Sequence, residues 1–305
     1  MKNILKFEQH IHLGGSWPLE YLKQVATPEE FEDLCAMISR IDRGMDYHEA
    51  FQVFHLIQKI MNSDQKIEDG VAALCQEFIR DNVVYVELRT GLKDFGSGFR
   101  GYLEAILRGI EKGKLKVGVI LSLRRDTPTH VASETIDLAI EYQGKGVVGI
   151  DVSGDSTVGD IRTIFPYLLR AKASGLPLTL HMGESLKETA ALQMLELQTL
   201  QPERVGHAVH LCQEAKDWIK THQVLVEMCL TSAVKAGMIP EASHHPALQL
   251  LLDGHPVSIC TDDPLIFNIT LSQEFALVSH ITKLSPQQIE ETQKLASKYN
   301  FIPSQ

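Results

Sequence analysis

Aromatic residues make up only 7% of this 305-residue chain, too few for a row of stacking platforms along single-stranded nucleic acid. Positive charge is also scarce. Against 39 Asp and Glu stand 29 Lys and Arg, the formal net charge is −10, and no Lys/Arg run occurs. That argues against nucleic acid or an anionic membrane as the main partner, while leaving room for a small anionic substrate that needs only local positive groups. Cysteine is sparse: Cys35, Cys75, Cys212, Cys229 and Cys260 form no Cys-x-x-Cys pair, and their odd number reads as reduced thiols in a cytoplasmic protein. No apolar run approaches the ~20 residues that cross a bilayer. The opening Met1-Lys2-Asn3-Ile4-Leu5-Lys6 has no apolar signal core, so no secretion signal is expected. Low-complexity stretches, internal linkers and short repeats are absent as well, which predicts one domain over residues 1–305.

What is present is hydrophobic content of 44%, ample for a large core, in a pattern of alternating short and long elements. Val-, Ile- and Leu-rich runs at 7–13, 83–89, 116–123, 147–153, 177–182, 204–209, 224–230 and 256–262 read as parallel strands buried on both faces. Helical patterns follow them, among them Tyr102–Lys112, Ala132–Tyr142, Asp160–Ser174, Lys187–Leu200 and Ala247–Leu252. Eight strand–helix units predict an α/β fold, a (β/α)₈ TIM barrel. The first two strands are separated by residues 14–82, with helical patterns at Tyr47–Met61 and Ile67–Asp81, which predicts a helical insertion over the barrel mouth.

Chemistry-bearing residues gather at the ends of four of these runs. His10 and His12 are two apart on the first strand, so both point to one face, in a barrel the interior. In isolation, two hydrogen-bonded core histidines would look the same. His181 ends an apolar run and opens His181-Met182-Gly183-Glu184; Glu184 could equally be a first-turn residue favoured by the helix dipole. His207 follows Arg204-Val205-Gly206, and the nearby His210 reads as structural. Asp262 and Asp263 follow another apolar run and precede Pro264; two adjacent acids cannot point the same way, so one can take a metal while the other accepts hydrogen bonds from a substrate. Asp-Asp-Pro is also ordinary turn chemistry. Together, three imidazoles and a carboxylate at strand ends suit a borderline divalent ion such as zinc, with a Glu, a His and an Asp left over for proton transfer and binding.

With these motifs in view, the chain resembles the adenosine deaminase family of amidohydrolase barrels. The likeness runs through His10-Ile11-His12, Val148-Gly149-Ile150-Asp151-Val152-Ser153-Gly154-Asp155, His181-Met182-Gly183-Glu184, Arg204-Val205-Gly206-His207 and Thr261-Asp262-Asp263-Pro264. The resemblance implies one zinc per chain held by His10, His12, His181 and Asp262. It implies Glu184 as the acid that protonates the purine ring nitrogen and His207 as the group that orients and deprotonates the metal-activated water. It places Asp263 on the five-membered ring, the Gly154 backbone on the six-membered ring, and His12 and Gly14 beside the substrate. Tyr85-Val86-Glu87-Leu88-Arg89, Glu227-Met228-Cys229-Leu230-Thr231-Ser232 and His244-His245-Pro246 are similar to the branch acting on N6-methyl-AMP, in which His55 matches a position near the ribose.

Three departures from that branch bear on the substrate. Thr90-Gly91-Leu92-Lys93-Asp94 replaces an arginine-rich phosphate-contacting turn, Gly14-Gly15-Ser16 lacks a polar residue before the second glycine, and Leu123-Arg124-Arg125-Asp126 lacks an Asp before its arginines. With Asp94 offsetting Lys93, the expected substrate is a 6-aminopurine nucleoside, adenosine or deoxyadenosine, in preference to its 5′-monophosphate. N6-methyl-AMP and aminofutalosine are the alternatives within the family. Outside it stand a barrel that hydrolyses esters or amides and a barrel that binds nucleosides without turnover.

Overall fold

The computed structural model describes residues 4–41 and 47–302; residues 42–46 of the expected insertion lie outside them. Eight strands, β1 Lys6–His12, β2 Val83–Thr90, β3 Lys116–Arg124, β4 Val147–Ser153, β5 Leu178–Met182, β6 Arg204–His207, β7 Leu225–Met228 and β8 Val257–Ile259, pair in parallel in sequence order. β1 and β8 meet at the seam through Asp262. The His12 N–H donates to Asp262 O at 2.9 Å, and the Asp262 N–H donates to His10 O at 3.0 Å. The (β/α)₈ TIM barrel expected from the alternation is therefore the fold.

Three strands are shorter than the apolar runs that encode them. β6 stops at His207 because His207 and Ala208 both take positive φ, 62° and 58°, which no strand tolerates. β7 ends at Met228, and Leu230–Lys235 already forms a helix. β8 ends at Ile259, and Asp262 at φ 67° turns out of the strand. At β6 and at the seam after β8, the chain turns out of the sheet at the chemistry-bearing residues His207 and Asp262. The expected helix Asp160–Ser174 divides into a turn at Ile161–Thr163 and a helix Phe165–Ala173, since Pro166 fits only a helix's first turn. Helix Ala190–Leu200 starts later than the apolar pattern because Thr189 caps it.

The insertion contains helices Leu19–Val25, Pro28–Ile41, Tyr47–Ile60 and Asp64–Arg80. Val53, Ile57 and Ile60 lie on one face of the third helix and are buried; each such side chain contributes roughly 1.5–3 kcal/mol. That helix packs on the turn Leu13–Gly15, and Pro28–Ile41 packs on helix Pro264–Phe267, so the insertion covers the mouth at the β1–β8 seam. The fourth helix packs instead on Gly98–Gly113 in the outer layer. A Cβ at Gly109 would stand 2.5 Å from Glu68 O, so only glycine allows that close approach.

Candidate active site

β1 alternation sends Ile11 outward into the core and His10 and His12 inward. His181, next to last in β5, faces the same interior, and the seam carries Asp262 to them. One ligand atom from each of His10, His12, His181 and Asp262 falls within 4.8 Å of the others. His12 Nε2 and His181 Nε2 are 3.0 Å apart, and Asp262 Oδ1 lies 3.5 Å from His10 Nε2 and 3.4 Å from His12 Nε2. The quartet singled out in the sequence is thus assembled by the fold.

Beneath it lies a buried ionic layer. Glu227 Oε2 is 2.6 Å from His10 Nδ1, and Asp151 Oδ1 is 2.9 Å from His181 Nδ1. These carboxylates engage the Nδ1–H groups and turn both Nε2 lone pairs towards the quartet centre. Arg89 joins the two acids: its Nη2 donates to Glu227 Oε2 at 3.0 Å and to Gln9 O at 2.8 Å, its Nη1 to Asp151 Oδ1 at 3.3 Å. Thr179 and Arg204 also hold Glu227, and Ser122 holds Asp151. Burial alone would raise both carboxyls. The charges of Arg89 and Arg204 on Glu227, and of His181 and Arg89 on Asp151, outweigh it and keep both well below the ordinary carboxylate range.

The quartet fits a cation. His10 Nε2 is buried with no hydrogen-bond partner, and two imidazole Nε2 atoms face each other at 3.0 Å. Burial and Arg89 act to lower the His10 pKa, yet Asp262 and Glu227 raise it to about 9, so these two carboxylates favour positive charge at His10. The donor set of three imidazoles and one carboxylate is one that zinc accepts.

Above the quartet, Glu184 Oε1 lies 3.6 Å from His207 Nε2. Burial, helped by the negative charges of Asp262 and Glu188, raises Glu184 to about 7. Burial lowers His207 to about 4. Near neutrality a carboxyl that readily holds a proton therefore faces a neutral imidazole, a potential proton donor beside a proton acceptor. The φ of 62° at His207 and 67° at Asp262 marks backbone held in an uncommon conformation, as at many active sites. Asp263 is buried and kept well above the carboxylate range by burial and by Asp262, and its Oδ1 has no partner. Gly154 leaves β4 with φ 82°.

Two expected substrate positions look different in three dimensions. His55 is exposed on helix Tyr47–Ile60 and is not drawn into the buried cluster. Its neighbour Phe54 is the residue beside Gly14, 3.8 Å from where a Cβ there would stand. The tighter glycine is Gly15, whose Cβ would overlap Asp263 Oδ1 at 1.9 Å. The structure also adds residues that were not assigned roles from the sequence. Glu227, Asp151 and Arg89 were visible as charges inside apolar strands, an arrangement that costs stability unless they are paired. Glu188 carried no sequence signal at all.

The sequence matches the family model described as Adenosine deaminase over residues 6–305. The chain belongs to the adenosine deaminase family. N6-Methyl-AMP deaminase of Mus musculus is 32% identical over 316 residues, 97% of this chain and 87% of the relative. The crystal structure of the Arabidopsis N6-mAMP deaminase superposes with a TM-score of 0.90 at 32% identity, covering 99% of this chain and 95% of that one. The Arabidopsis ADAL structure complexed with IMP gives a TM-score of 0.89 at 32% identity, covering 98% and 93%. This adenosine deaminase family member is a hydrolytic deaminase. Family membership sets aside the ester- or amide-cleaving barrel and the non-catalytic barrel. Among the described residues no helix is long and apolar enough to cross a membrane.

Proposed function

We propose that this family member hydrolyses the C6–N bond of an adenine nucleoside 5′-monophosphate, with N6-methyl-AMP as the favoured substrate. The observation that carries the chemistry is the buried Glu184 carboxyl, its pKa raised to about 7, set 3.6 Å from a neutral His207 beside the four-donor cluster. His10, His12, His181 and Asp262 would hold one zinc ion, which when bound would supply the Lewis acidity that makes water a nucleophile near neutral pH. Glu184 gives its proton to the ring nitrogen next to C6, where negative charge develops as the C–O bond forms. His207 takes a proton from the attacking water. Asp263, kept protonated by burial and by Asp262, donates a hydrogen bond to the five-membered ring, the Gly154 backbone meets the six-membered ring, and His12 and Gly14 flank the sugar. The C6–N bond then breaks, leaving a 6-oxopurine and ammonia or methylamine. The described cysteines are all free thiols, in keeping with a cytoplasmic setting.

The choice of a monophosphate reverses the expectation drawn from the sequence. That expectation assumed that Asp94 neutralises Lys93. In the structure Asp94 Oδ1 instead accepts from the Gly96 and Gly98 amides at 2.7 and 2.8 Å. Lys93, just beyond the mouth end of β2, is half-buried and has no ion-pair partner among the described residues. Burial lowers its pKa, the mark of a cation without compensation. Three other cations, Arg124, Arg125 and Lys235, are engaged: Arg124 with Asp126, Arg125 with Glu196 and His181 O, Lys235 with Phe267 O. The names of the relatives and the IMP complex of one of them support the same choice.

Paired kcat/KM measurements on adenosine, deoxyadenosine, AMP, N6-methyladenosine, N6-methyl-AMP and aminofutalosine test it. The monophosphates should lead their nucleosides by at least tenfold. Lys93→Ala should remove roughly tenfold or more of that lead, the size of one charge-assisted bond, and leave the nucleosides unchanged. A lead for adenosine or aminofutalosine would restore the uncharged-substrate reading that Gly14 favours.

Metal content tests the ligand set. His10→Ala combined with His181→Ala should abolish the single zinc per chain by elemental analysis. His207→Ala should keep the zinc and lose most turnover, since His207 Nε2 faces Glu184 rather than the quartet. Zinc lost in step with activity in His207→Ala would make His207 a ligand.

A further inference from the structure

Glu184 is held by almost nothing of its own side chain. Its Oε2 is buried without a hydrogen-bond partner, and its Oε1 stands 3.6 Å from His207 Nε2, beyond hydrogen-bond reach. The direction of the carboxyl is therefore inherited from the backbone that carries it. That backbone is the loop between β5 and helix Ala190–Leu200, and its successive amides point to one side. The Gly183 N–H donates to Glu188 Oε2 at 2.7 Å. The Glu184 and Ser185 N–H groups donate to Glu188 Oε1 at 3.0 and 3.2 Å. One carboxylate thus fills a nest of three amides, the middle one belonging to Glu184 itself. On the other side the His210 N–H donates to Gly183 O at 2.7 Å, and Gln193 Nε2 donates to His210 O at 2.9 Å. The loop is gripped from both sides, and Glu188 supplies the side that touches Glu184.

We propose that Glu188 is a positioning residue for the deamination step: it fixes the Glu184 backbone so that the acid is presented to the purine ring nitrogen. The inference rests on the assignment of Glu184 as that acid. Helix Ala190–Leu200 has its own cap, because the Thr189 side chain accepts from the Leu192 N–H. The Glu188 carboxylate is thus not needed to start the helix. Misplacing a reacting group by about 1 Å can cost on the order of 10²-fold in rate, so loss of the clamp should appear in kcat rather than in substrate binding.

The test uses the zinc-loaded full chain with Glu188→Ala and the near-isosteric Glu188→Gln. Both should lower kcat, by roughly 10- to 100-fold for Ala and less for Gln, with KM and zinc content little changed. The same substitutions made on Glu184→Gln should then cost almost nothing further, because a positioning residue has no effect once the group it positions is gone. Wild-type kcat in folded Glu188→Gln and Glu188→Ala would overturn the proposal, and so would losses that multiply in full with Glu184→Gln. Hydrogen exchange at the Gly183–Ser185 amides reads the clamp without any turnover. Faster exchange in Glu188→Ala supports the clamp, and unchanged exchange overturns it. A Glu184→Gln enzyme with normal turnover would instead count against the assignment of the acid while leaving the exchange result to judge the clamp.

Discussion

Glu184→Gln lowers kcat by about 10²–10⁴-fold, the usual worth of a general acid, while substrate affinity changes little. The amide preserves the shape of the side chain and its place 3.6 Å from His207 Nε2, but it has no proton to give to the ring nitrogen as C6 is attacked. His207 cannot take over: burial holds it near 4, so at neutral pH it carries no acidic proton. The variant also has a signature outside catalysis. In the metal-free protein, burial raises Glu184 from 4.5 to about 7. A carboxyl with a raised folded pKa carries no penalty below 4.5, an increasing one as pH rises, and the full one above about 7. Glutamine has no such penalty. Glu184→Gln should therefore gain stability relative to the parent as pH climbs through that window, read as a growing difference in melting temperature. Normal kcat would show that another group is the acid. A pH-independent stability difference would show that Glu184 is not held protonated.

The quartet and Glu184, proposed as the acid, were legible in the sequence for one physical reason. A parallel barrel strand is apolar throughout, so a His or Asp at its end stands out, and the barrel gathers all such ends on one face. The limits had physical reasons too. Runs such as 256–262 read as full strands because apolar periodicity cannot show where a residue turns to positive φ, and Asp262 does so at the seam. His55 was singled out by a match to a position near the ribose in related chains, yet it is exposed and the ring beside Gly14 is Phe54. Asp94 was paired with Lys93 by adjacency, whereas its carboxylate caps the amides two and four residues on. Glu188 escaped notice because its partners are backbone amides, which leave no trace in residue identities.

The second large effect lies below the site. Arg89→Met should destabilise the protein by about 3–5 kcal/mol at pH 7, the range for removing one partner of a buried ion pair. The methionine fills much of the same volume, so the loss is electrostatic. Arg89 is the group that joins Glu227 and Asp151, and all three are buried. Arg204 still faces Glu227, but Asp151 then keeps only His181, Ser122 and their hydrogen bonds. Both acids sit well below their unfolded values of 4.5 and 3.8, so the stability they bring is present above those values and fades as pH falls through their folded pKa values. Without Arg89 their folded values rise, and the deficit of the variant should shrink as pH is lowered below about 4.5. Because Glu227 and Asp151 also orient His10 and His181, zinc affinity should drop 10- to 100-fold, the usual cost of losing support behind a metal-binding histidine. Denaturant midpoints from pH 2.5 to 8, with zinc titrations at pH 7, measure both effects. A deficit that stays constant across that range would mean that Arg89 acts by packing alone. Zinc affinity equal to that of the parent would mean that the two histidines hold their orientation without the ionic layer beneath them.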